Sequence, residues 1–161
     1  MKNLILIRHA KSNWDEPLID INRSLSQRGI NDANLVANKA KKYFPKSFLV
    51  CSSIAKRASQ TAIIFAQNIP YQIENIIFEK DLYTFDMKIL EQFVKNSNND
   101  YENLILFGHN EAITNFVNKF GNTFIDNVPT SGFVSLQFDT NDWQILENGK
   151  TIKTIFPKDL K

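Results

Sequence analysis

The chain is poor in the residues that announce a specialised fold or a metal centre. It has one cysteine, two histidines and five glycines in 161 residues. The single Cys51 excludes an internal disulfide and leaves no cysteine cluster for a metal. No apolar stretch approaches the roughly 20 residues of a membrane span. The excess of positive charge is only +2, too small to argue for nucleic acid or a membrane surface as partner. No secretory leader is visible, because an apolar strand begins almost at the first residue, and the chain reads as cytoplasmic. With 43% hydrophobic and 22% charged residues, it fits an ordinary globular protein. Its length suits one domain over residues 1–161 with a good core.

The scarce histidines are where the sequence becomes informative. Leu4-Ile5-Leu6-Ile7-Arg8-His9 and Leu104-Ile105-Leu106-Phe107-Gly108-His109 are both short apolar runs that end in histidine. Such uniformly apolar runs read as strands buried on both faces. In an open parallel sheet, ligands bind beyond the carboxyl ends of the strands. If the two strands share one sheet and one direction, both histidines face one crevice.

The rest of the chain supports a sheet of that kind. Strands are expected at residues 3–8, Ser47–Cys51, Ile73–Phe78 and Leu104–Phe107. Helices are expected from a Ser26 cap to about Phe44, from about Ala55 to Asn68, from an Asp86 cap to about Lys95 and from about Asn110 to Lys119. Ala10–Leu25 has no period and contains Pro17, so it reads as a long loop, a length that usually carries function. Phe133–Phe138, Gln144–Leu146 and Thr151–Phe156 read as further strands, with a turn at Thr140-Asn141-Asp142. The order predicts a three-layer α/β/α fold with a mainly parallel central sheet and an antiparallel edge. Cys51 reads as core.

Every candidate parallel strand delivers polar chemistry at the same edge. Arg8 and His9 end the first strand, with Lys11 and Asn13 just after. Arg57 opens the helix after the second, where backbone amides also favour anions. Glu79 and Asp81 follow the third, and His109 the fourth. Two arginines suit an oxyanion, since each guanidinium fork can meet two oxygens. A histidine among them suits phosphoryl transfer. A neutral imidazole can attack phosphorus and split one displacement into two. Arg8, Arg57 and a protonated His109 would neutralise the equatorial oxygens without metal. Asp81, or Glu79, would protonate the leaving group and then activate water.

These residues resemble a known family. Arg8-His9-Ala10 is similar to the Arg-His-Gly signature of the histidine phosphatase superfamily, which has a phosphoglycerate mutase-like fold. Leu6–Trp14 is closer still to its small SixA-type phosphohistidine phosphatase branch. Arg23-Ser24-Leu25, Arg28-Gly29, Arg57-Ala58, Gln60-Thr61, Gly108-His109-Asn110 and Thr130-Ser131-Gly132-Phe133 follow in family order. The resemblance implies His9 as the phosphorylated nucleophile, with Arg8, Arg57 and His109 as the phosphate pocket. No cofactor is expected, and no metal, since no short-range His or carboxylate spacing supports a metal site. Asp81 is the nearest match to the acid of larger members, although SixA-type members often lack a clear donor. Ala10 departs from the signature glycine, and the insertions that build a lid for sugar phosphates are absent. An open site would suit a phosphohistidine domain of a signalling or phosphotransfer protein. A phosphatase for small phosphate monoesters is the alternative, and a non-catalytic phosphate-binding module a third reading.

Several roles stay open at this level. Arg23 either guides substrate or pairs with a carboxylate. Asn13 either bonds phosphate or closes its loop. Ser131 either donates to phosphate or shapes the turn before a strand. Asp81 is either the acid or a cap. Trp14 is either a pocket wall or, more commonly for tryptophan, core.

Overall fold

The two histidine-ended runs become neighbouring parallel strands. In the computed structural model, which describes residues 1–161, β1 (Lys2–Arg8) pairs with β4 (Asn103–Gly108) from Asn3 opposite Asn103 to Arg8 opposite Gly108. Four more strands complete one sheet: β2 (Leu49–Ser53), β3 (Ile77–Glu79), β5 (Phe133–Phe138) and β6 (Lys150–Ile155). The spatial order is β3-β2-β4-β1-β5-β6. The first four run parallel, and β5 and β6 form the antiparallel edge.

Strand side chains alternate between faces, and both faces here are apolar. Leu4, Leu6, Leu104 and Leu106 pack on one side with α3 (Met87–Lys95) and α4 (Ala112–Phe120). Ile5, Ile7, Ile105 and Phe107 pack on the other with α1 (Gln27–Ala40) and α2 (Lys56–Asn68). The result is the expected three-layer α/β/α arrangement. Cys51 is buried in the α3/α4 layer, with its thiol pushed up to about 12 by burial, then by Glu79. It is core, as its strand position suggests.

Two expectations need correction, and two helix ends are refined. Gln144–Leu146 is no strand, because Trp143–Ile145 is a 3-10 turn. Asp142 caps it, while the buried Trp143 donates through Nε1 to Tyr101 O and through its amide to Asn99 Oδ1. Ile73–Asn75 is also a 3-10 turn, and only Ile77–Glu79 reaches the sheet, as a short edge strand. The first helix becomes 3-10 at Lys41–Tyr43 before Phe44. The fourth begins at Ala112, with Asn110 before it accepting from the Thr114 amide and hydroxyl.

The long loop after β1 is ordered by a few contacts. Ser12 and Leu25 form an isolated antiparallel bridge, and Asp20–Asn22 is a 3-10 turn. Ser26 caps α1 by accepting from Gly29 N, and its own amide donates to Lys11 O. Gly29 touches the backbone two residues beyond His9: a Cβ there would lie 2.1 Å from Lys11 O. This predicts an inverted substitution effect. Alanine in place of glycine within a helix normally stabilises by about 1 kcal/mol. Gly29→Ala should instead cost about 1–3 kcal/mol in chemical denaturation, since a backbone atom must move.

Candidate active site

His9 sits just past β1, with its amide donating to Gly108 O. Its ring Nδ1 lies 2.7 Å from Ala10 O. A carbonyl only accepts, so Nδ1 carries the hydrogen and Nε2 keeps a lone pair. Burial pushes the His9 pKa down to about 4, aided by Arg57 and Arg8 and opposed by the Ala10 bond and Asp20. The imidazole is therefore neutral at pH 7.

His109 follows β4, and its ring centroid lies 5.1 Å from that of His9. Its Nε2 is 2.8 Å from Ser53 Oγ, while Arg57 Nη2 faces Nδ1 at 3.4 Å. A guanidinium only donates, so Nδ1 holds the lone pair and Nε2 donates to Ser53. Burial, then His9 and Arg57, push this pKa down to about 3, while Asp20 opposes the shift. From the sequence, His109 is expected to be charged. The structure gives a neutral one, because a buried ring beside two guanidinium groups cannot readily take a further positive charge.

The two arginines meet the histidines from different elements. Arg8 is half-buried and donates from Nη1 to Val128 O at 2.9 Å, while its Nε is buried without a partner. Burial and Arg57 lower its pKa below the usual value. Arg57, in the first turn of α2, has a side chain only 5% exposed. It donates from Nη1 to Asp20 O at 2.8 Å and from Nη2 to Asp20 Oδ2 at 3.0 Å. Tyr83 OH donates to the same Oδ2. Burial tends to raise the Asp20 pKa, but the bonds from Tyr83 and Arg57 outweigh it and hold the carboxyl below its usual range. The Tyr83 pKa is raised, chiefly by that bond to Asp20. An exposed ion pair contributes about 0–1 kcal/mol. The Asp20 carboxylate adds little more than that here, since its side chain is 45% exposed and its backbone carbonyl accepts from Arg57 independently of it.

Arg8, His9, Arg57 and His109 are thus brought together, and Asp81 is not among them. Asp81 and Glu79 line a separate cavity of about 540 Å³ with Leu49, Cys51, Ile77 and Ile89, which contains neither histidine. The short β3 passes directly into the 3-10 turn Lys80–Leu82 and carries Asp81 to that side. The carboxylate facing both histidines is Asp20. It lies in an aperiodic loop whose length is its only sequence signal. Tyr83 and Ser53 carry no motif of their own in sequence.

The remaining candidates have mixed placements. Asn13 Oδ1 accepts from Asp15 N, so it closes its loop. Arg23 meets no carboxylate; its guanidinium lies 3.8 Å above the Trp14 ring. Trp14 is 65% exposed and so is not core. Ser131 is buried at φ 63, and its amide donates to both Arg8 O and His9 O, so it props up the signature backbone. Its Oγ is buried without a partner. No group of three or more His, Cys, Asp or Glu side chains is arranged to hold a metal ion. No helix is long and apolar enough to cross a membrane.

Residues 4–117 match the histidine phosphatase superfamily (branch 1). The chain belongs to that superfamily. The protein histidine phosphatase SixA complexed with tungstate has the same fold: TM-score 0.83, 19% identity, 99% of each chain covered. A protein assigned as a phosphohistidine phosphatase SixA from Agrobacterium tumefaciens aligns with TM-score 0.77 and 22% identity over 96% of this chain and 97% of that one. A mycobacterial glucosyl-3-phosphoglycerate phosphatase aligns with TM-score 0.67 and 12% identity over 94% and 97%. None of the curated proteins matches the sequence significantly. Family membership and these neighbours support a hydrolase of the phosphatase class.

The two depressed histidines of this superfamily member predict acid sensitivity with a definite sign. Unfolded, both titrate near 6.5; folded, they do so at about 4 and about 3. Between those limits the unfolded chain binds more protons, so stability is complete above pH 6.5 and falls as pH drops. Urea unfolding from pH 7 to 4.5 should show a steeper loss in the wild type than in a His9→Gln/His109→Gln variant. Equal slopes would refute the assigned neutral state.

Proposed function

We propose that this chain removes the phosphoryl group from a phosphohistidine in a signalling or phosphotransfer protein, through a phosphorylated His9. The observation that carries the reading is the His9 tautomer. Its Nδ1–H is held by Ala10 O, which leaves a neutral Nε2 lone pair beside two guanidinium groups. In the first step Nε2 bonds to phosphorus while the P–N bond of the substrate breaks. The leaving imidazole nitrogen takes up a proton. In the second step water attacks the phosphorylated His9, the new P–N bond breaks, and inorganic phosphate leaves.

Arg8 and Arg57 neutralise the equatorial oxygens, which is most of what phosphoryl transfer requires of a protein. An entering phosphoryl dianion offsets their charge and lets His109 take a proton and donate. A basic nitrogen leaving group acquires its proton readily, so the displacement of Asp81 from the site does not count against the reaction. Tungstate, held by the structurally similar SixA, is an oxyanion of the same shape class.

Exposed apolar side chains favour a protein substrate. Phe85 packs on His109 at 5.5 Å between centroids and is 55% exposed. Ile54, between Ser53 and Arg57 in sequence, is exposed. Trp14, Leu18 and Ile19 are exposed on the loop that delivers Asp20. Exposed apolar groups against His109 and along the segments that carry Asp20 and Arg57 suit a protein face better than a small sugar phosphate.

Incubation with a radiolabelled phosphohistidine protein should give an acid-labile label on the enzyme. His9→Ala should abolish the label and lower turnover at least ~10³-fold. A chelator should leave the wild-type rate unchanged. Undiminished hydrolysis by His9→Ala would sink the mechanism. Faster turnover of common phosphomonoesters than of the phosphohistidine protein would shift the substrate to small molecules.

A further inference from the structure

The structure assigns Asp20 and Tyr83 as positioning residues: together they clamp the Arg57 guanidinium for the phosphoryl group, so that the loop after β1 tunes the anion site. The inference rests on the site being a phosphoryl-transfer centre. It concerns residues outside the motif matches described above, and two bonds to one residue carry it. Arg57 Nη1 meets the Asp20 carbonyl and Nη2 meets the Asp20 carboxylate, at 2.8 and 3.0 Å. A two-point grip fixes the plane of the fork as well as its position.

Asp20 is itself held. Tyr83 OH bonds its Oδ2, and the Tyr83 ring lies 5.3 Å from the His109 ring and 6.0 Å from the Arg57 guanidinium carbon. The clamp therefore ties the loop, α2 and the segment after β3 around one arginine. The backbone around Asp20 is also closed, since Arg23 N donates to Asp20 O and Ser12 bridges to Leu25.

The clamp holds the fork without filling it. A guanidinium has five N–H groups, and Asp20 takes one from each terminal nitrogen. The others remain for His109 Nδ1 and for phosphoryl oxygens. The Asp20 side chain is 45% exposed, so its pairing with Arg57 resembles a partly solvated ion pair, which adds little to stability. The consequence lies in geometry. An arginine already oriented loses no side-chain freedom when substrate arrives, and its charge needs no rearrangement in the transition state. The Asp20 carboxylate also opposes the depression of both histidine pKa values, which eases protonation of His109 once an anion is bound.

The test is a double-mutant cycle read in single-turnover label formation and in the affinity for inorganic phosphate by calorimetry. Asp20→Asn preserves shape and the backbone carbonyl bond while removing the charge. It should slow label formation about tenfold and weaken phosphate binding about fivefold, with an unchanged unfolding midpoint. Tyr83→Phe should produce about a threefold loss in each. In an Arg57→Ala background, Asp20→Asn should change either quantity less than twofold, because its effect passes through Arg57. Equal losses in both backgrounds would show that Asp20 acts on its own and overturn the clamp. Tighter phosphate binding by Asp20→Asn would mark Asp20 as a competitor of the anion and overturn it too. Label formation on wild-type His9 separates the levels: a labelled wild type with an additive cycle defeats the clamp alone, while an unlabelled wild type defeats the proposed function and the clamp with it.

Discussion

The parallel pairing of β1 with β4 is the constraint on which the site depends. Arg8 lies opposite Gly108, and the His9 amide continues the ladder to Gly108 O. The next side chains are the two histidines, at 5.1 Å between ring centroids. A one-residue slip would move every side chain to the other face. Polarity alone does not prevent this, since both faces are apolar. The far end supplies a pin. Asn3 lies opposite Asn103, and Asn3 Nδ2 donates to Asn103 Oδ1 at 2.8 Å. An amide pair at one end and the Arg8–Gly108 level at the other bracket the apolar stretch between them.

A second constraint is charge held in a small, dry volume. Two guanidinium groups and two imidazoles share the crevice, and burial works against every added positive charge. The histidines yield first, because they can shed a proton and the arginines cannot. That leaves both rings neutral, with the His9 lone pair on Nε2 and the His109 lone pair on Nδ1. Asp20 moderates the field from the loop. Ser131 supports the same corner from β5's side, bonding the carbonyls of both Arg8 and His9 through one amide.

Much of this was legible in the chain. The strands ending in His9 and His109 could be read because their apolar runs are short, uniform and bounded. Arg57 could be placed because it follows a strand and opens a helix. Gln144–Leu146 misled because Trp143 is anchored by Asn99 and Tyr101, far away in sequence, and Asp142 caps a turn there. Trp14, for which core is the commoner fate, lies instead at the surface under the Arg23 guanidinium. Asp81 matched by position in the chain, yet the three-residue β3 carries it to another cavity. Asp20 and Tyr83 carry no period or motif, and they meet at Arg57 only because the loop after β1 and the segment after β3 both fold onto α2.

Sequence alone determined which strands carry the histidines and which four side chains gather beyond them. Those features follow from local periodicity and from the direction of parallel strands, both written in adjacent residues. Tertiary structure decided which carboxylate faces the site, which ring nitrogen of each histidine keeps its lone pair, and that both rings are neutral. These depend on distances between residues far apart in the chain and on how little water reaches them, so no short stretch of sequence encodes them.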